Sequence, residues 1–279
     1  MSTEATPRDA KQSDVKQRPD AAPATTYSRI ALQATDAVAR IELRNPPLNV
    51  IDLEMMDELL AALETIEQRE QVIATVIAGA GRAFSAGVDI AAHTPDKVEG
   101  MLRKFHSVIR AILASKKVTI VQVHGACLGG GAEIALVSDL VYTARDASWA
   151  FPEIKLACYP PVACAALAAL VGQKRAAELI LTGRQISGDE ALAIGLATGA
   201  ARAEELPVLV NDAVAQLEKL SPAALRLAKK ACSAWDAAHV ERGLARAEQV
   251  YLGELIKTED CNEGVSAWME KRRPRWTGR

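Results

Sequence analysis

The spacing of apolar positions changes character along the chain. Residues 28–34 and 37–43 alternate or run apolar over strand lengths, with Thr35-Asp36 as the turn between them. Arg44-Asn45-Pro46-Pro47 ends the second strand, because proline withdraws a ladder donor and restricts its predecessor. Over residues 52–69 the period lengthens to that of an amphipathic helix, with Leu53, Met56, Leu59, Leu60, Leu63 and Ile66 on one stripe. Residues 72–78 and 118–123 are apolar, β-branched runs too short for helices and predict buried strands. Further helices are expected over 98–115 and 130–138, with a strand over 140–143. This strand–helix alternation predicts an α/β fold with a mainly parallel sheet.

From Pro161 onward the pattern is almost wholly helical, over residues 162–171, 174–182, 187–194, 203–220, 221–236, 239–256 and 259–271. Ser187-Gly188-Asp189-Glu190 reads as a capping box, and Pro222 sits at a first helical position. Residues 1–26 are polar, with alanine as the main apolar type. They are expected to form a disordered tail, because they bury too little surface to offset the entropy of ordering.

Composition narrows the function classes. The 279 residues are 49% hydrophobic and 24% charged, with a net charge of −2, so no global charge favours nucleic acid or an anionic membrane. Aromatic residues, at 4%, are too sparse for a base-stacking surface. The five cysteines (Cys127, Cys158, Cys164, Cys232 and Cys261) are odd in number and lack CxxC spacing. They predict reduced, mostly buried thiols with neither a disulfide framework nor a metal site. No apolar run approaches the roughly 18 residues of a spanning helix, and the first residues lack a secretory apolar region, so a cytoplasmic location is expected.

Three features carry candidate chemistry. Ala83-Phe84-Ser85-Ala86-Gly87-Val88-Asp89-Ile90 is a small-residue segment whose glycine admits close approach of a backbone N–H to a ligand, or equally makes a tight connection. In His124-Gly125-Ala126-Cys127-Leu128-Gly129-Gly130-Gly131 a buried strand gives way to a glycine run and then a helix. Free N–H groups and the positive end of a helix dipole meet there, which suits an anion or a developing oxyanion. The run is neither a P-loop nor a dinucleotide fingerprint. Glu133, in the first turn of that helix, and Glu153, after Trp149-Ala150-Phe151-Pro152, both have apolar neighbours. Carboxyls with raised pKa values run acid and base chemistry near neutrality, although either residue alone also fits a helix-start or loop role.

In this order and spacing, the features resemble the crotonase (enoyl-CoA hydratase/isomerase) superfamily from about Tyr27 to the C-terminus. Phe151-Pro152-Glu153-Ile154, Leu181-Thr182-Gly183-Arg184 and the closing Glu263-Gly264 and Trp268-Met269-Glu270-Lys271 contribute to the resemblance. It implies a spiral of repeated β-β-α turns over 27–202 and a helical trimerisation region over 203–279, assembled as a homotrimer or a dimer of trimers. The N–H groups of Val88 and Gly130 would form an oxyanion hole for a thioester carbonyl. Ala86, Gly87, Asp89, Ile90, Gly129, Pro160 and Pro161 would contact the substrate. Glu133 and Glu153 would handle water and protons, with no metal or redox cofactor, since coenzyme A is part of the substrate. Hydration of an unsaturated acyl-CoA is the leading expectation. Double-bond isomerisation and thioester hydrolysis are the enzymatic alternatives, and an RNA-binding or scaffold relative the non-enzymatic one.

Two departures stand out. Common hydratases follow the second glutamate with a Pro-Gly-x-Gly-Gly turn, whereas this chain has Tyr159-Pro160-Pro161-Val162-Ala163-Cys164. Pro161 has no N–H, which implies altered water placement or another reaction. The turn resembles that of cyclic dienoyl-CoA hydratases. Ala91 also stands where many members place a lysine near the CoA phosphates, leaving Arg82, Lys97, Arg44 or Lys271 as substitutes. His93, His106, His124 and His239 have no metal spacing and are expected to be structural or solvated. Asp139 is expected to be a cap or ion-pair partner.

Overall fold

In the computed structural model, which describes residues 27–35 and 37–279, the chain opens with an antiparallel pair, Ile30–Ala34 (β1) and Val38–Leu43 (β2). The expected tail and Asp36 of the first turn lie outside the described residues. Leu53–Glu67 (α1) begins where Asp52 accepts the Met55 N–H at 2.8 Å, a side-chain cap that satisfies an orphan donor. Its buried face is Met55, Met56, Leu59, Ala62, Leu63 and Ile66. Leu53, assigned to the stripe by spacing, is exposed at the first turn instead.

Ala74–Gly79 (β3) pairs parallel with β2. Val98–Ala114 (α2) crosses back to Val118–Val123 (β4), which pairs parallel with β3. The chain then changes sheet. Ala126–Leu128 (β5) starts a second, smaller sheet and leads into Gly130–Leu136 (α3). Leu140–Ala144 (β6) returns to the first sheet beside β4, and Ser148–Ala150 (β7) goes to the second beside β5. The turns that begin at β4 and β6 thus each lay one strand on each sheet, which is the spiral. The strands β5 and β7 are three residues long, too short to show a period.

A 3₁₀ turn, Pro152–Leu156, precedes Pro161–Val171 (α4) and Gln173–Thr182 (α5). Ile186–Ser187 (β8) completes the small sheet antiparallel to β7. Gly188–Ala193 (α6) follows, capped by Ser187, which accepts the Glu190 N–H at 3.1 Å. Glu190 does not return the bond; its carboxylate pairs with Arg184. Gly199–Ala201 (β9) closes the large sheet, whose order is β1-β2-β3-β4-β6-β9.

The last helices are Leu206–Leu217 (α7), Pro222–Gly253 (α8) and Glu259–Met269 (α9). Sequence spacing divides α8 near residues 236–239, but it is one continuous helix. Its apolar residues face different partners in turn: Leu225 meets the sheet, while Gly243 closes on Ala165 of α4. No single stripe persists along it, so periodicity loses the helix. Lys229 on α8 pairs with Asp139 at 2.7 Å and donates to the Lys117 carbonyl at 2.6 Å, tying the helix to the ends of β4 and α3. Among the described residues no helix is long and apolar enough to cross a membrane.

Candidate active site

The site is assembled where the two sheets separate. Ser85 pairs with Cys127 in an isolated parallel bridge, and the Leu128 N–H donates to the Ser85 carbonyl at 2.9 Å. Residues 83–88 therefore run beside β5 rather than forming a strand of a regular sheet. Asn49 fixes this path from below. It is buried, and its side-chain amide donates to the carbonyls of Ala80 and Ala83 at 2.9 and 2.8 Å. The Ser85 hydroxyl donates to the Asn49 carbonyl at 2.7 Å and accepts the Gly87 N–H at 3.1 Å. Neither Asn49 nor Ser85 was legible as a site residue, since each acts through partners remote in sequence.

This path brings Val88 against the start of α3. A side chain on Gly130 would come within 2.7 Å of Val88 Cγ2. Among the described residues, no backbone carbonyl accepts the N–H of Val88 or Gly130, so two free donors stand beside a helix N-terminus. Gly129 caps α3 with φ +49° and ψ −125°, a conformation suited to glycine, and a Cβ there would meet Glu153 Oε1 at 2.5 Å. The second glutamate is thus set directly over the turn.

The two carboxyls have different seats. Glu133 is buried, and its Oε1 accepts the N–H groups of Val162 and Ala163 at 2.8 and 3.0 Å. These are the second and third residues of α4, with Pro161 at its first position, where no helical donor is required. Both N–H groups are taken by the Glu133 carboxylate, and Pro161 has none to add. Burial pushes the Glu133 carboxyl up to about 7, against the two backbone donors, which favour its charged form. Glu153 lies in the 3₁₀ turn, not in a solvated loop. That turn is backed by α9, whose Gly264 approaches Leu156 so closely that a Cβ would clash with its carbonyl. Glu153 Oε2 is buried without a hydrogen-bond partner among the described residues. Burial first, and the neighbouring Glu133 charge second, push its carboxyl up to about 8.

One small cavity gathers these groups. Ala86, Gly87, Val88 and Ile90 line one side, Gly129, Gly130 and Glu133 another, and Glu153, Pro160 and Pro161 a third. Asp89 is not among the lining residues. Its side chain accepts the Ala91 N–H at 3.0 Å and caps a 3₁₀ turn, Ile90–His93. The lining also includes residues that sequence reading passed over: Phe105 from α2, Cys158 and Tyr159 after the 3₁₀ turn, Tyr251 from α8, and His93. Their apolar or isolated positions read as ordinary core. His106, by contrast, is buried away from the cavity against Glu248, and His124 Nε2 bonds the Gly81 carbonyl. Among the described residues no cluster of His, Cys, Asp and Glu could hold a metal ion. Of the possible phosphate partners, Arg44 is already paired with Glu42 at 2.6 Å.

A family model described as enoyl-CoA hydratase/isomerase matches residues 33–279. The chain belongs to the enoyl-CoA hydratase/isomerase family. Over 258 residues it is 32% identical to the cyclohexa-1,5-dienecarbonyl-CoA hydratase of Thauera aromatica, covering 92% of this chain and 99% of that protein. It is 30% identical over 254 residues to the short-chain-enoyl-CoA hydratase of Clostridium acetobutylicum, with 88% and 96% covered. The crystal structure of an enoyl-CoA hydratase from Mycobacterium avium subsp. paratuberculosis superimposes with a TM-score of 0.82 at 28% identity, covering 90% of this chain and all of that one. The sheet-changing spiral is the crotonase fold of this family.

Proposed function

We propose that the protein is an acyl-CoA hydratase that adds water across the C=C bond of an unsaturated acyl-CoA thioester. One observation carries this reading: two buried carboxyls with unequal seats face two free N–H donors. The Val88 and Gly130 N–H groups receive the thioester oxygen and hold the negative charge of the enolate. An oxyanion donor of this kind contributes about 2.7–4 kcal/mol to the transition state. Glu133, whose charged form is held by the start of α4, takes a proton from water as its oxygen bonds to C3. Glu153, kept protonated by burial and by the Glu133 charge, delivers a proton to Cα. The pair titrates as a unit, and the unequal seats set which member ionises first.

The reaction uses no metal or redox cofactor, and coenzyme A enters as part of the substrate. Similarity to the Thauera cyclohexa-1,5-dienecarbonyl-CoA hydratase supports a cyclic dienoyl acyl group as one candidate. Pro161 was the ground for isomerase or thioester-hydrolase chemistry; hydration is favoured over both because Val162 and Ala163 hold Glu133 in the charged form that a base acting on water requires. A cytoplasmic location and a homotrimer or dimer of trimers belong to the same proposal. Exposed Leu181, Val208 and Leu227 offer apolar surface for such assembly, and sedimentation velocity measures it.

The test is mass analysis of crotonyl-, branched and cyclic dienoyl-CoA thioesters incubated with the protein. Hydration adds one water, isomerisation leaves the mass unchanged, and hydrolysis frees the acid. Glu133→Gln and Glu153→Gln should each lower kcat by roughly 10²–10⁴-fold. Full activity in both variants, or no added water on any thioester, rejects the reading.

A further inference from the structure

Aromatic side chains from two helices share the cavity with the carboxyls and the free donors. Phe105 lies against the start of α3, where a Cβ on Gly130 would come within 3.0 Å of its ring tip. It therefore flanks the free donors. Glu133 and Glu153 line the same cavity. Cys158 adjoins Glu153, its N–H donating to the Glu153 carbonyl at 3.1 Å, and Tyr251 closes on the cavity from α8.

Tyr251 is fixed from several directions. It is 1% exposed, and its ring meets Tyr159 edge-on at 5.1 Å and 69°. The Cys158 thiol, on the same cavity, is in turn held by the Cys261 thiol of α9 at 3.8 Å. The Tyr159 hydroxyl donates to the Ala247 carbonyl at 2.8 Å, one turn earlier on the helix that carries Tyr251. Both rings thus join α8 to the segment that carries Glu153. The free space they leave is small, about 70 Å³. An apolar cavity that admits a benzene-sized ligand measures roughly 150 Å³.

We propose that Tyr251, braced by Tyr159, is the wall that limits the size of acyl group the site accepts. The inference rests on the acyl-CoA reading of the cavity. On this reading a short acyl group is accepted with the wall in place. A long straight chain, or a six-membered ring, requires the wall to yield. Met101 and Leu102 of α2 line the cavity as well, but as flexible aliphatic side chains they set a less rigid limit than a braced ring.

Calorimetric binding of butyryl-CoA and decanoyl-CoA to the full chain tests this, since these saturated thioesters have no double bond to hydrate. Tyr251→Ala should shift the ratio of their dissociation constants towards decanoyl-CoA by roughly 10-fold or more, the scale set by a few methylenes in an apolar pocket. Tyr251→Leu, a smaller change that guards against misfolding, should shift it in the same direction. Tyr251→Phe keeps the ring and should keep the wild-type ratio. An unchanged ratio in a folded Ala or Leu variant overturns the inference. If the wild-type protein binds neither thioester, the acyl-CoA reading falls and the wall falls with it. If it binds both but hydrates nothing, only the hydratase reading fails, and the ratio still decides the wall.

Discussion

Two helix starts face the same cavity and use the same physics in opposite ways. At α3 the glycine turn leaves the Gly130 donor without an acceptor, facing the cavity. At α4 the corresponding donors, on Val162 and Ala163, are already taken by Glu133. A helix N-terminus stabilises negative charge, whether that charge arrives with a ligand or belongs to the chain. Here one start is kept for charge that develops during reaction, and the other holds a charge the reaction needs from the outset. The difference also separates the two glutamates. Glu133 has donors for its ionised form, whereas Glu153 has an oxygen with none.

Changing the open start should have the largest effect. Gly129→Ala forces a side chain into a backbone conformation suited to glycine and drives it against Glu153 Oε1. Steady-state assays should show kcat reduced by about 10²–10³-fold, the scale of a lost oxyanion donor. Near-wild-type kcat would mean that the turn and Glu153 do not act together.

Changing the occupied start should act through pH. In the wild type, activity falls on the acid side as Glu133 gains a proton and on the alkaline side as Glu153 loses one, giving a bell between limbs near 7 and 8. Ala163→Pro removes one donor from Glu133 within the first turn, where proline is tolerated. The acid limb of kcat/KM should then move up by about one pH unit, since a hydrogen bond to a charged group contributes about 1.5–3 kcal/mol. A rise in KM with unmoved limbs would point to packing alone.

The smallest effect concerns stability and has the opposite sign from activity. The Glu153 carboxyl is raised in the fold, so the folded chain holds a proton that the unfolded chain releases above about 4.3. Its contribution is favourable at low pH and is lost as pH rises towards 8, because the unfolded state then binds fewer protons. Glu153→Gln removes that dependence but leaves an amide that must find partners. A net gain of about 1 kcal/mol is expected at pH 8, or roughly 2–4 °C in Tm by thermal melts. A lower Tm than wild type at pH 8 would contradict the assigned cause.

How far these seats could be read in the sequence differs between the two starts. The glycine run at residues 129–131 announces itself, because glycine after a buried strand and before a helix has few other uses. The α4 start was legible only in part. Pro161 stood out for its lack of an N–H, but nothing in the sequence joined the next two N–H groups to Glu133, which lies 29 and 30 residues earlier. The strands β2, β3 and β4 and the helix α1 were legible because their apolar positions run over six or more residues. The small sheet and β9 were not, since two- and three-residue strands carry no period. Nor was the continuity of α8, whose apolar residues serve the sheet, α4 and the cavity in succession. Asn49 and Ser85 escaped for a further reason: their partners are fixed only once the chain has folded.

The two prolines before α4 bear on the cost of keeping Glu133 in place. Pro160 and Pro161 restrict the backbone in the unfolded chain as well as in the fold, so little freedom remains to be lost when the helix start forms. A glycine-rich turn at that point would supply an extra N–H but would have to be ordered from a much broader set of conformations. This chain gives up one donor and gains a stiff approach to the two that remain. The seat of its ionised carboxylate is therefore organised before any substrate arrives, and binding energy need not be drawn on to build it.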